Sequence, residues 1–203
     1  MNSTTQPPDR SRRWLVPIIA SWLVLMALVA WYGTRMPTAW FDPAQIAPHD
    51  FADPVQLSDF RMALQDTLPL PPGAGPLFVR FAQPGCPCEQ LVDSYHQLMV
   101  PSLRKQGFTV VTITPSHMEQ LAAQLGKRLW QWVPSTPAIL LLNSNGELAY
   151  FGPYHQAGIC NSENSYLEPV LDALVNGEPV SIINTLVEGC FCAYPAATAA
   201  SRH

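Results

Sequence analysis

The chain is poor in charge: 13% of its 203 residues are Asp, Glu, Lys or Arg. It contains no G-x-x-x-x-G-K-[ST], G-x-S-x-G or H-E-x-x-H motif, which weighs against several nucleotide-binding and hydrolase classes. It has no basic patch. From residue 36 onward there are 7 Lys/Arg against 14 Asp/Glu, a net charge near −7, so nucleic acid is not an expected partner. It has no internal repeat apart from two Cys-x-Cys pairs, and it has no C-x-x-C.

The most local absence is between Trp14 and Tyr32, where 19 residues pass without a charge. That length spans a bilayer core of about 30 Å as a helix. Trp14, Trp22, Trp31 and Tyr32 put aromatics at both ends, where headgroups lie. Pro17 is near the start, where a helix tolerates it. Arg10, Arg12 and Arg13 precede the run and only Arg35 closely follows it. The positive-inside bias therefore keeps the N-terminus in the cytoplasm and exports the rest. A cleaved signal peptide is the rival, but Leu28 at −3 from Ala30 fits A-x-A poorly. The expected location is a bacterial inner membrane, with the C-terminal part in the periplasm.

The remaining length suits one domain with its own core. The expected division is 1–13 cytoplasmic, 14–32 transmembrane, 33–54 linker, 55–178 folded domain and 179–203 tail. An amphipathic helix is expected through Leu57, Phe60, Leu64 and Leu68. "PLFVRFAQ" predicts a strand over 77–81. "CPCEQLVDSYHQLMVPSLRKQG" predicts a helix with Pro87 at its first position, a face of Leu91, Tyr95, Leu98 and Met99, a kink or interruption at Pro101, and a stop at Gly107. "FTVVTIT" is the next strand. Ser116 and Glu119 form a capping box for a helix to about Trp130. "PAILLLNSNGELAYFG" is a hairpin turning at Asn145-Gly146. A last helix carries Leu167, Val170, Leu171 and Leu174, closed by Gly177 and Pro179.

The chemistry lies in five cysteines: Cys86, Cys88, Cys160, Cys190 and Cys192. In an exported domain disulfides form and persist, and an odd count leaves at least one thiol free, reactive or shared. Cys86 and Cys88 sit where a helix begins, and N-terminal N–H groups stabilise a thiolate there. On the redox reading, Cys86 is an exposed attacking thiolate and Cys88 resolves the mixed disulfide. A Cys86–Cys88 bond would be a strained small ring, readily reduced. Cys190 and Cys192 offer a second pair, as a relay partner or as a staple for the tail. Cys160 would resolve Cys86 or pair with the tail. Connectivity stays open. On the metal reading, Cys86, Cys88, Cys190 and Cys192 hold copper or zinc. On a third reading the domain is redox-inert, held by disulfides for interaction. His96 and His155 are expected as surface histidines without a task. Trp130, Trp132 and Phe151 are expected as core or rim aromatics.

The order strand, helix, strand, helix, hairpin, helix, with cysteines at the first helix N-terminus, resembles the thioredoxin fold over roughly residues 55–178. "STPA", Ser135 to Ala138, stands where thioredoxin-like proteins place a cis-proline facing their cysteines. The resemblance implies a cis Thr136-Pro137 bond, with the Thr136 backbone turned toward Cys86 to pair with an extended substrate strand. CPC, "YFGPYHQAGIC" and "GCFC" together resemble a family of membrane-anchored, thioredoxin-like bacterial proteins of unknown function.

The fold class expected is therefore α/β: a thioredoxin-like mixed sheet flanked by helices, preceded by one transmembrane helix. The function expected is thiol–disulfide exchange on protein thiols or disulfides, with no cofactor, or copper or zinc on the metal reading.

Overall fold

The structure is a computed structural model describing residues 10–33, 38–42, 53–71, 75–126, 129–155 and 164–194. Cys160 lies outside the described residues. The chain divides into two compact units, Met1–Pro37 and Thr38–His203. In the first, helix α1 (Arg10–Gly33) runs through Pro17, and residues 15–31 are exposed throughout. Among the described residues no helix is long and apolar enough to cross a membrane. The span expected over 14–32 extends past the side chains described.

The second unit is built on a five-stranded mixed sheet. Its strands are β2 (Leu77–Phe81), β3 (Thr109–Ile113), β5 (Ala138–Leu142), β6 (Leu148–Gly152) and β7 (Ile182–Ile183). They lie in the order β3-β2-β5-β6-β7. β2 is parallel to β3 and antiparallel to β5, β5 is antiparallel to β6, and β6 is parallel to β7. Alternation along each strand sorts side chains to two faces. Leu77, Val79, Phe81, Leu140 and Leu142 enter one core with helices α2 (Pro54–Thr67) and α4 (Pro115–Leu125). Phe78, Ile139 and Leu141 enter the other with α3 (Pro87–Lys105) and α6 (Leu167–Val175). Both faces are covered, so β2, β5 and β6 are buried at every position; β5 accordingly reads as a continuous apolar run, whereas β2 is interrupted by Arg80.

Local chemistry sets the boundaries. Asp53 caps α2 by accepting the Val55 N–H at 2.9 Å, with Pro54 at the first turn. The hairpin closes where Asn143 Oδ1 accepts from the Asn145 and Glu147 N–H groups, and Gly146 takes φ 82°. Pro101 does not interrupt α3, which is continuous over 19 residues.

Several expectations are corrected. The cap of α4 is Thr114, whose N–H donates to His117 Nδ1 at 3.3 Å, and not Ser116 with Glu119. That helix ends at Leu125, and a short helix α5 (Leu129–Trp132) follows beyond Gly126. The buried stripe of α3 is Cys88, Val92, His96, Met99 and Leu103, while Leu98 is 80% exposed. Within the segment expected as linker, β1 (Thr38–Trp40) forms a strand and Phe41 is fully buried.

The tail is the largest correction. It does not follow the end of the core but completes it. β7 supplies the fifth strand. Beyond it, β8 (Glu188–Cys190) pairs antiparallel with β1, and β9 (Cys192–Ala193) pairs antiparallel with β4 (Ser135–Thr136). Val187, Phe191 and Tyr194 are buried in the α2/α4 core. Burying each such side chain contributes on the order of 1.5–3 kcal/mol. Gly152 permits the approach of the tail: a Cβ there would lie 2.4 Å from the Asn184 carbonyl oxygen.

Candidate functional site

The site begins at a turn. Gln83-Pro84-Gly85-Cys86 closes with the Cys86 N–H donating to the Gln83 carbonyl at 3.1 Å, and Gly85 takes φ 85°. Proline followed by glycine is what a type II turn requires. The turn delivers Cys86 in extended backbone (φ −72°, ψ 121°) to the N-cap of α3, with Pro87 opening the helix. The helix N-terminus that the sequence assigned to the Cys-Pro-Cys run is therefore present.

The cysteines are bonded across this helix end to the tail. Cys86 is joined to Cys192 and Cys88 to Cys190. The Cα atoms are 6.1 and 5.4 Å apart, inside the usual range. Cys86 is not paired with Cys88, and it is not exposed: Cys86 and Cys88 are 5% and 1% exposed, whereas Cys190 and Cys192 are half-buried. The expectation of an exposed Cys86 fails: its sulfur is bonded to Cys192 of β9. The sulfur atoms of Cys86, Cys88 and Cys192 all lie within 4.8 Å of one another.

Thr136-Pro137 is cis. Thr136 is opposite Cys192 in the β4–β9 ladder, and the Tyr194 N–H donates to the Pro134 carbonyl at 3.1 Å. The backbone edge expected to take a substrate strand is thus paired with the chain's own tail.

Two bonds across one seam do not contribute additively. Either alone closes a loop of 106 or 102 residues, worth about 4.7 kcal/mol in the chain-entropy account. With one in place, the other closes only a ring through residues 86–88 and 190–192, worth about 2 kcal/mol on the same account. As staples the two are largely redundant.

Between β2 and the first turns of α3 is a charge cluster not foreseen from the sequence. Arg80, the one charge in β2, donates to Glu89 Oε2 at 2.7 Å and also to Asp93 Oδ1. Glu89 Oε1 accepts the Gln83 N–H at 3.1 Å, tying the helix start to the cysteine turn. Burial pushes the Glu89 carboxyl above its usual range, against the opposing bonds from Arg80 and Gln83. Burial, and then the Glu89 charge, push the Tyr194 hydroxyl well up. Among the described residues, Thr136 Oγ1, Gln83 Oε1 and Tyr194 Oη are buried without a hydrogen-bond partner. The sequence signal was present: an arginine inside "LFVRF" has to find an anion, and Glu89 and Asp93 lie one helical turn apart.

His96 and His155 are also corrected: both are buried. His96 Nδ1 shares a 2.9 Å hydrogen bond with the Tyr154 hydroxyl. Burial, assisted by the Arg80 charge, holds its pKa down to about 4. It is a neutral core histidine on the α3/α6 side. Trp132 and Phe151 are core residues and Trp130 packs at the core's margin, as expected.

Fold and site together define a mixed α/β domain whose helix-borne Cys-x-Cys pair is doubly cross-linked to a tail Cys-x-Cys pair. The chain belongs to the family described as a domain of unknown function (DUF6436), which matches residues 57–194 and so includes both pairs. No curated protein matches the chain. Solved structures similar to it include two of unknown function. One, a hypothetical protein from Sinorhizobium meliloti 1021, has 20% identity and a TM-score of 0.42, covering 59% of this chain and 79% of that one. The other, an uncharacterized conserved protein from Geobacillus kaustophilus, has 18% identity and a TM-score of 0.43, covering 59% and 76%.

Proposed function

We propose that the protein is a membrane-anchored thiol–disulfide exchange protein with a thioredoxin-like domain, held outside the cytoplasm by the helix over 14–32. The observation that carries this is the seating of the Cys86–Cys192 bond. One sulfur is at the N-cap of α3, and the other belongs to a strand paired with Thr136 beside the cis Pro137. A bond serving only as a staple needs neither.

A thiolate of a partner protein attacks Cys192 Sγ, the more open sulfur. The Cys86–Cys192 bond breaks and Cys86 leaves as a thiolate, favoured by the helix N-terminus. A second partner thiol attacks its own sulfur in the mixed disulfide and releases Cys192. The partner leaves with a disulfide, and two electrons and two protons have entered the domain. The Cys86 thiolate then attacks Cys88 Sγ, forms Cys86–Cys88 and displaces Cys190. The second bond is thereby opened without external reductant. The reverse sequence would oxidise a partner.

Trapping in the full-length, membrane-bound chain tests this. Cys86→Ser leaves Cys192 able to capture a partner disulfide with no Cys86 to release it. Mixed disulfides on Cys192 should accumulate, and a Cys86→Ser/Cys192→Ser double variant should show none. Equal trapping by both variants, or by neither, refutes the proposed roles.

A further inference from the structure

The tail stays in place for reasons that do not involve sulfur. Phe191 packs edge-on against Phe41 at 5.2 Å, and the Tyr194 ring lies tilted against Trp130 at 5.5 Å. Val187, Phe191 and Tyr194 are 5%, 5% and 0% exposed. The β1–β8 and β4–β9 ladders hold it from two sides, and the Phe41 N–H donates to the Val187 carbonyl at 2.8 Å. Cutting both disulfides removes none of these contacts. A reduced domain therefore keeps four thiols gathered at one helix end.

The closeness of Cys86 to Cys192 follows from their bond. Cys88 is informative because its sulfur lies within 4.8 Å of both without being bonded to either. Cys190 is already bonded to Cys88 and so is also in reach. Among the described residues the cluster contains sulfur donors alone. Such a set rejects hard cations and selects soft ones. A tetrahedral zinc site needs sulfurs about 3.8 Å apart from all four ligands. The C-x-C spacing is tighter than the usual C-x2-4-C of structural zinc, and each ligand here comes from such a pair. A low-coordinate soft ion makes fewer demands, and the α3 N-terminus offsets part of the thiolate charge.

We propose that the fully reduced domain is a copper(I) site, with Cys86, Cys88 and Cys192 as ligands and Cys190 as the fourth sulfur in reach. In the two-disulfide form none of these four sulfurs is a thiolate, and the site does not bind. Conversion needs two equivalents of a dithiol, which supply four electrons and four protons to open both bonds. This goes beyond exchange, which is measured on the oxidised, metal-free protein, so either can fail alone.

The test uses the full chain in detergent micelles without oxygen. Copper(I) is delivered from a chromophoric chelator to protein that is oxidised or has been reduced with a dithiol and freed of it. Near-UV circular dichroism is recorded before and after reduction. The expected result is an aromatic signal kept on reduction, one copper(I) per reduced chain and none per oxidised chain. Cys88→Ser and Cys192→Ser should each weaken uptake at least 100-fold, and Cys160→Ser should leave it unchanged. A tail signal lost on reduction, no uptake by reduced protein, or uptake that survives loss of Cys88 and Cys192 overturns the proposal. Zinc bound as tightly as copper(I), with equal dependence on all four cysteines, overturns the choice of ion.

Discussion

Thr136 is paired with Cys192 across a two-residue ladder, and Cys192 is in turn bonded to Cys86 at the start of α3. Three segments far apart in sequence thus converge on one sulfur. The strand edge beside the cis-proline is occupied, and the occupant is covalently attached to the helix that faces it.

The first prediction follows from the redundancy of the two bonds. Removing Cys86 and Cys192 together by serine substitution should cost about 2 kcal/mol, and removing Cys88 and Cys190 together should cost about the same. Removing all four should cost roughly 7 kcal/mol, well beyond the sum of the two pairs. Urea unfolding of the four proteins measures this. Simple additivity would mean that the bonds constrain different parts of the unfolded chain.

How far this site could be read from sequence depended on the range of the signal. β2, the hairpin and the start of α3 are announced by residues within a few positions of one another, such as Pro87 after Cys86 and Asn145-Gly146 between apolar runs. The tail is not. Thr38 pairs with Cys190 and Thr136 with Cys192, and strands of two or three residues are too short to show a period of two. The Cys-x-Cys spacing showed that a second pair existed but could not name its partners. On α3 the error was one of phase. Leu91 and Leu98 drew the apolar face toward themselves, whereas Val92 and His96 line the buried stripe together with the expected Met99. A histidine that buries its ring against Tyr154 looks polar in a sequence.

The orientation of the anchor is tested by fusion. The 19 uncharged residues from Trp14 and the three arginines before them predict that a reporter fused after His203 is active in the exported compartment only. Replacing Arg10, Arg12 and Arg13 with glutamine should reduce that activity several-fold by removing the charge asymmetry. Cytoplasmic activity of the unaltered fusion would reverse the orientation and put the cysteines in a reducing space.

His96 predicts an acid-sensitive fold. Its pKa is held down to about 4 in the folded protein, from an ordinary 6.5. Between these values the unfolded chain binds the extra proton, so stability falls as pH drops from about 6.5 to 4, with a slope approaching 1.4 kcal/mol per unit. His155 is also lowered by burial and adds to the same trend. Glu89, whose carboxyl is raised, acts in the opposite sense just above the usual carboxylate range. Comparing wild type with His96→Gln isolates the His96 part, because the other groups are common to both. The difference in melting temperature between the two proteins should change through this window and level off above pH 7. A constant difference from pH 4 to 7 would contradict it.

The last prediction concerns Arg80. Both of its carboxylate partners are on α3, but they are not equivalent: Glu89 has a 9% exposed side chain and Asp93 a 45% exposed one. Arg80→Met keeps volume in the strand and strands Glu89 without its cation. Breaking one side of a buried pair costs about 3–5 kcal/mol, because the remaining charge is uncompensated. Glu89 can escape that cost only by taking up a proton, so its carboxyl, already raised by burial, must rise further. The folded variant then holds a proton that the unfolded chain releases. Its stability should be best preserved below the ordinary carboxylate pKa and should decline as pH rises through the new folded value. Glu89→Gln in the same background should recover most of the loss at neutral pH, since an amide still accepts from the Gln83 N–H and carries no charge. Asp93→Asn should not, because that carboxylate has water as an alternative partner. Urea unfolding of Arg80→Met, Arg80→Met/Glu89→Gln and Arg80→Met/Asp93→Asn at pH 5 and pH 8 separates these effects. Equal rescue by the two double variants would show that the cluster acts as a diffuse charge balance rather than through the buried pair.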